Sequence, residues 1–180
     1  MENSTIVSCF INLNDGLNKS VAWYIEKGKF LLEIDTNLVF FVDENSHPHV
    51  FKIRDDLGLT YKTHFIITKL EDFPLYKYKE NIINNRKGKS IYVNNRNTPN
   101  YFILVSSKLE MMKKSIDINP FKSKYFIWID FGIKGQKYTQ KGMIEDILHN
   151  IKDKFSCCYI HYRDKNFIKN YPEFYKYGHC

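Results

Sequence analysis

Two acidic residues stand where apolar runs end. Asp43 follows NLVFFV at 37–42, and Asp130 follows YFIWI at 125–129. A carboxylate at the carboxyl end of a strand lies where open α/β sheets bind ligands. It can hold a divalent cation through oxygen, and that cation can neutralise a diphosphate. Asp130 is the sharper candidate. Five apolar residues lead into it, and Phe131 and Gly132 follow. Such a run reads as a central strand, buried on both faces. Gly132 lets a ligand or a backbone come close. The competing reading is a turn-forming Asp-x-Gly after a strand. Asp43 opens Asp-Glu-Asn, which is also common turn chemistry.

A lysine is the third candidate. Residues 100–116 read as one helix with Tyr101, Leu104, Val105, Leu109, Met112 and Ile116 on its apolar face. At about 100° per residue, Lys108 points into the middle of that face. A buried lysine needs a partner. It can snorkel to the surface, pair with a buried carboxylate, or reach a ligand phosphate. Ser106 and Ser107 beside it read as ordinary helix positions. Other residues carry less. His47-Pro48-His49 has a metal-ligand spacing but reads as a turn. His161 reads as a core or edge histidine, and Cys9 as a small buried hydrophobe. No Walker loop, G-x-G-x-x-G, G-x-S-x-G or H-E-x-x-H occurs, which removes the readings those motifs carry.

The elements that must position these residues follow from periodicity. Strands are expected over 5–11, 37–42, 61–68, 125–129 and 156–162. Helices are expected over 18–33, from Ser46 (as cap, with Pro48 in the first turn) to near Gly58, from Asp72 and Pro74 onward, over 100–116 and over 143–151. Residues 84–99 form the longest loop, and 132–142 a second. Strands alternate with helices without repeats or a linker. The pattern predicts an α/β three-layer sandwich with a mostly parallel central sheet.

Composition bounds the rest. The chain has 180 residues, one domain's worth, and 43% are hydrophobic, which excludes a disordered tail or coiled rod. No apolar run reaches the roughly 18 residues that a membrane span needs. The start is polar and not a secretory signal. The net charge is +7. Lysine supplies nearly all of the basic residues, with arginine only at 54, 86, 96 and 163. That bias, beside abundant Ile, Asn, Tyr and Phe and a single alanine, reads as AT-rich codon usage. Nucleic-acid binders more often carry Arg clusters. A nucleic-acid partner is therefore not expected, while phosphate-bearing anions are favoured. The four cysteines, Cys9, Cys157, Cys158 and Cys180, contain no C-x-x-C pair. They read as reduced, which predicts a cytoplasmic protein without a structural zinc site.

Four segments together resemble the HtrL/YibB-like proteins. They are T-I-V-S-C-F at 5–10, F-F-V-D at 40–43, N-T-P-N-Y-F-I-L-V-S-S-K at 97–108, and N-P-F-K-S-K-Y-F-I-W-I-D-F-G-I at 119–133. The resemblance covers roughly 4–165 and is most specific at 119–133. It implies a glycosyltransferase of the GT-A type that takes a nucleotide sugar. UDP is the favoured nucleotide, and the acceptor glycan or protein is open. By the resemblance, Asp130 is the counterpart of the acidic motif that holds Mn²⁺ or Mg²⁺ against the donor diphosphate. Ser8, Cys9 and Phe10 lie where the base is cradled, and Asp43 where base or ribose is contacted. Asn97 and Lys108 match an Asn…Ser-Lys pattern, with Lys108 near the nucleotide or its phosphates. The usual motif is Asp-x-Asp, whereas the third position here is Gly132. Family members are longer, so the resemblance implies one nucleotide-sugar-binding domain over 1–180 without the C-terminal acceptor part. The chain is then a fragment, a minimal version or a relic that binds without turnover. The alternative function is a non-catalytic protein that binds a nucleotide, a glycan or a partner.

Overall fold

The computed structural model of the chain describes residues 3–15, 19–87, 98–132 and 141–151. Its frame is four parallel strands: β1 (Ser4–Phe10), β2 (Asn37–Val42), β3 (Thr63–Ile67) and β4 (Tyr125–Trp128). They lie in the order β3-β2-β1-β4. β1 and β2 are buried almost throughout, without alternation, because both of their faces are covered.

Six helices cover the sheet among the described residues: α1 (Val21–Leu32), α2 (His47–Asp56), α3 (Lys79–Arg86), α4 (Pro99–Ser106), α5 (Lys108–Ile118) and α6 (Lys141–His149). Strand alternation sorts the core into two layers. Ile6, Phe10, Leu38, Phe40 and Val42 pack with Ile25, Leu31 and Val50 of α1 and α2 and with Ile144 and Leu148 of α6. Val7, Val39 and Phe41 face the other way, onto Ile103 and Met111 of α4 and α5, with Ile82 of α3 at the margin. The result is the expected three-layer α/β sandwich. No described helix is long and apolar enough to cross a membrane.

Three expectations need correction. Residues 100–116 are not one helix. The chain breaks at Ser107, whose hydroxyl donates to the Ile103 carbonyl at 2.8 Å. Back-bonding of that kind bends helices. The break also turns the apolar face. The buried stripe is Ile103, Ser107, Met111 and Ser115, while Leu109 is 76% exposed and Tyr101 and Ile116 are also exposed. Ser107 is therefore a buried contact and not an ordinary helix position. Second, β4 is an edge strand among the described residues, and its four residues are half-buried. The strand predicted at 156–162 lies outside the described residues. Third, Ser46 stands at the start of α2 but does not cap it. Its hydroxyl donates to Asp43 instead.

Candidate functional site

In the order β3-β2-β1-β4 the chain runs outward from β1 in both directions. The seam between β1 and β4 is thus the switch point, and ligands bind beyond the carboxyl ends of the strands there. Register sets what meets at that seam. Val7 pairs with Trp128, and the Ile129 amide donates to the Val7 carbonyl at 3.0 Å. The Ser8 hydroxyl then donates to the Ile129 carbonyl at 2.6 Å. Two residues apart on an extended chain, Trp128 and Asp130 point to the same face, the one that α5 covers.

Lys108 opens α5 and meets them. Its ammonium lies 2.7 Å from Asp130 Oδ1 and 3.0 Å from Oδ2. The Trp128 indole N–H donates to Oδ1 at 2.7 Å, and the ammonium stands 5.7 Å from the indole ring centre. The Lys108 side chain is 34% exposed and that of Asp130 54%. Of the three roles open to Lys108, pairing with a carboxylate is the one observed, at a half-exposed position and not in the core.

The turn that carries Asp130 is pinned from the opposite face. Phe131 packs between Phe10, at 5.4 Å, and Phe40, at 5.2 Å between ring centres. Its ring rests on Gly28 of α1, where an added Cβ would come within 2.3 Å of it. At Gly132, by contrast, a Cβ would meet nothing within 4 Å among the described residues.

The other expected site residues divide. Asp43 is engaged inside the fold. Its Oδ2 accepts from the Asn12 amide at 2.8 Å and the Ser46 hydroxyl at 2.8 Å, and its Oδ1 from the Ser46 amide at 2.9 Å. It thereby ties the loop after β1 to the start of α2, which is turn chemistry. Ser8 is fully buried, and Phe10 is buried between Tyr24 and Phe131. Only Cys9 of that trio is half-buried. Desolvation pushes its thiol up, and the negative charges of Asp43 and Asp130 add to this, while Lys108 opposes it. A thiol raised in this way is not a nucleophile. Asn97 and His161 lie outside the described residues. His47 packs its ring on Phe65, 4.9 Å away.

The fit of a divalent cation can be judged from the donors. Mg²⁺ or Mn²⁺ at a diphosphate takes about six oxygen ligands, from one or two carboxylates with free lone pairs, the phosphates and water. At Asp130, Oδ2 already accepts from Lys108 and Oδ1 from Trp128, with the ammonium 2.7 Å from Oδ1 as an ion pair. No group of three His, Cys, Asp or Glu side chains able to hold a metal occurs among the described residues. Among the described residues, the carboxylate that the resemblance assigns to the cation is thus already engaged by Lys108 and Trp128, and a cation would have to displace the ammonium.

A family model described as a bacterial protein of unknown function, HtrL_YibB, matches residues 2–147. The chain belongs to the HtrL/YibB family. The match spans β1 to α6 and takes in Asp43, Lys108 and Asp130. No curated protein and no solved structure matches the chain.

Sequence reasoning missed Trp128 as a donor, Gly28 as the floor under Phe131, and Asn12 and Ser46 as partners of Asp43. For Trp128 a signal existed. W-x-D on a strand places the indole and the carboxylate on one face. No such signal existed for Gly28, whose neighbour lies 103 positions away. Two small cavities lie elsewhere. One of about 60 Å³ is lined by Phe41, Thr68, Phe73 and Met111, and one of about 180 Å³ by Asn3, Tyr125, Leu148 and Ile151. Neither touches Lys108 or Asp130, and both are smaller than the roughly 300 Å³ typical of ligand pockets. The convergence of charge at the switch point is the better guide to the site than either cavity.

Proposed function

We propose that this HtrL/YibB protein binds a nucleotide sugar, a UDP-sugar first of all, and transfers the sugar to an acceptor. One observation carries the reading. A half-exposed lysine and carboxylate, drawn from two distant segments, converge at the switch point of a parallel sheet. The resemblance of the motif segments to HtrL/YibB-like proteins, which implies a GT-A-type transferase, supports the same chemistry.

Glycosyl transfer leaves negative charge on the departing diphosphate. A fixed positive charge beside the leaving oxygens lowers the barrier because the charge develops in the transition state. Lys108 is the side chain placed to supply it. Asp130 holds the ammonium in position, and Trp128 fixes the carboxylate. Phe131 on Gly28 fixes the turn that carries Asp130. We place this activity in the cytoplasm, where the free Cys9 thiol suits a reducing compartment.

The test is release of UDP from UDP-sugars by the full chain, with water or added glycans as acceptor. Wild type should release UDP above the uncatalysed level. Lys108→Met should release it about 10²–10³-fold more slowly, the usual cost of removing one such electrostatic contact. UDP bound without any turnover would favour the non-catalytic binding protein. Neither binding nor turnover, with any nucleotide sugar, would sink both.

A further inference from the structure

We infer that the cation facing the diphosphate at this edge is the Lys108 ammonium itself, and that binding there needs no divalent metal. The inference rests on the reading of the β1–β4 edge as a nucleoside diphosphate site, and it settles which charge does the binding.

Four observations carry it. The ammonium lies 2.7 and 3.0 Å from the two Asp130 oxygens, where a metal held by both of them would lie. The Trp128 N–H also points at Oδ1, from 2.7 Å. A metal on that oxygen would face a proton of partial positive charge. The lysine is held in place from behind. Ser107 is fully buried and bonded to the Ile103 carbonyl, so the backbone that carries Lys108 cannot swing away cheaply. The indole ring beside the ammonium adds an attraction that desolvation strengthens. Finally, the position that would supply a second carboxylate is Gly132, which has no side chain to give.

The ammonium has capacity to spare. A lysine has three N–H donors. One donates to Asp130 Oδ2, which leaves donors for a phosphate oxygen. Asp130 then acts as a positioning residue. It keeps the charge at the seam and does not touch the ligand. A nucleoside diphosphate brings its own negative charge, which the ammonium can meet without a metal in a chain of net charge +7.

The experiment is calorimetric titration of the full chain with UDP, once in EDTA and once in Mn²⁺. Wild type, Lys108→Met, Lys108→Arg and Asp130→Asn are compared, each checked for native circular dichroism. Wild-type affinity should agree within about twofold between the two buffers. Lys108→Met should weaken it about tenfold or more in both, as expected for a lost charge-assisted hydrogen bond. Lys108→Arg should weaken it less than Lys108→Met. Asp130→Asn should still bind in EDTA, more tightly than Lys108→Met does. Binding that appears only with Mn²⁺ and vanishes in Asp130→Asn would overturn the inference and leave the nucleotide site standing. Wild-type affinity in Lys108→Met would also overturn it. No binding by wild type in either buffer would overturn the nucleotide site, and the inference with it.

Discussion

The sheet has a cation held against oxygen at each of its two edges, and the two are built differently. At the amino edge, Arg54 of α2 is fully buried. Its guanidinium donates to the carbonyls of Leu32 and Ile34 at 2.9 Å and Thr36 at 3.0 Å, and to the Thr63 hydroxyl at 2.6 Å. These groups close the end of α1 and the turn into β2. Burial pushes the guanidinium pKa down to about 10, with Asp35 and Tyr61 opposing, so it stays charged at neutral pH. At the carboxyl edge, Lys108 meets one carboxylate, and both are open to solvent. Four of the five N–H donors of Arg54 are matched by groups that cannot leave. Lys108 is held by a partner that leaves a donor and a face exposed. The first arrangement stabilises the fold, and the second can serve a ligand.

Mutation should separate the two sharply. The largest effect is expected from Arg54→Met, which takes the side-chain donor from three carbonyls, of which that of Ile34 keeps the Thr36 amide at 2.9 Å. Each unsatisfied group costs about 1–3 kcal/mol, so a loss of about 3–5 kcal/mol is expected in urea unfolding. A loss below about 1 kcal/mol would mean that the amino-edge cation is not structural.

Gly28→Ala should follow, with an effect on both edges of the comparison. Alanine in a helix is worth about 1 kcal/mol over glycine. Here its Cβ would lie 2.3 Å from the Phe131 ring, which Phe10 and Phe40 hold from the other sides. Overpacking of that kind costs about 1–3 kcal/mol, so net destabilisation and weaker UDP binding are expected together. Adding Phe131→Leu should recover part of the stability. A simple gain in stability for Gly28→Ala would show that Phe131 is free to move.

Asp43→Ala removes an acceptor for three hydrogen bonds at a half-buried site. A loss of about 1–3 kcal/mol is expected from unfolding midpoints. It should reduce UDP affinity less than Lys108→Met, since Asp43 is occupied by Asn12 and Ser46. An opposite ranking of affinities would return Asp43 to the site.

The smallest effect belongs to Lys62, whose ammonium is 2.6 Å from Asp35 on the surface. The hydrogen bond to Asp35 raises its pKa above the ordinary 10.5. The folded state therefore gains from this proton. The gain is complete below the ordinary value and is lost as pH rises through the raised one. Lys62→Met should cost at most about 1 kcal/mol at neutral pH, and the difference from wild type should vanish in strong alkali. A difference that grows with pH would contradict the assignment.

Much of the frame could be read from residues. β2 falls on NLVFFV with the expected bounds, and β1 and β4 match within a residue or so, because runs rich in β-branched and aromatic residues mark strands whether covered, as β2, or at the edge, as β4. The carboxylate at the end of β4 was legible for the same reason. The break at Ser107 was not, since a helix pattern runs through 100–116 and the bend comes from a buried hydroxyl that sequence reads as solvated. That single break moved Lys108 from an imagined core position to the start of α5, beside Asp130. The partners of Asp43 were illegible too. Turn chemistry and ligand chemistry use the same residue types, and only distances tell them apart.

The most direct measurement of the nucleotide reading is the unfolding midpoint of the full chain with and without saturating UDP, for wild type and Lys108→Met. A ligand at about 100 times its dissociation constant adds about 2.7 kcal/mol to the folded state. In a chain of this size that raises the midpoint by about 5–10 °C. The rise is expected in wild type and should be largely absent in Lys108→Met. An unchanged wild-type midpoint with UDP, GDP and CDP alike, or an equal rise in both proteins, would contradict a nucleotide site built on Lys108.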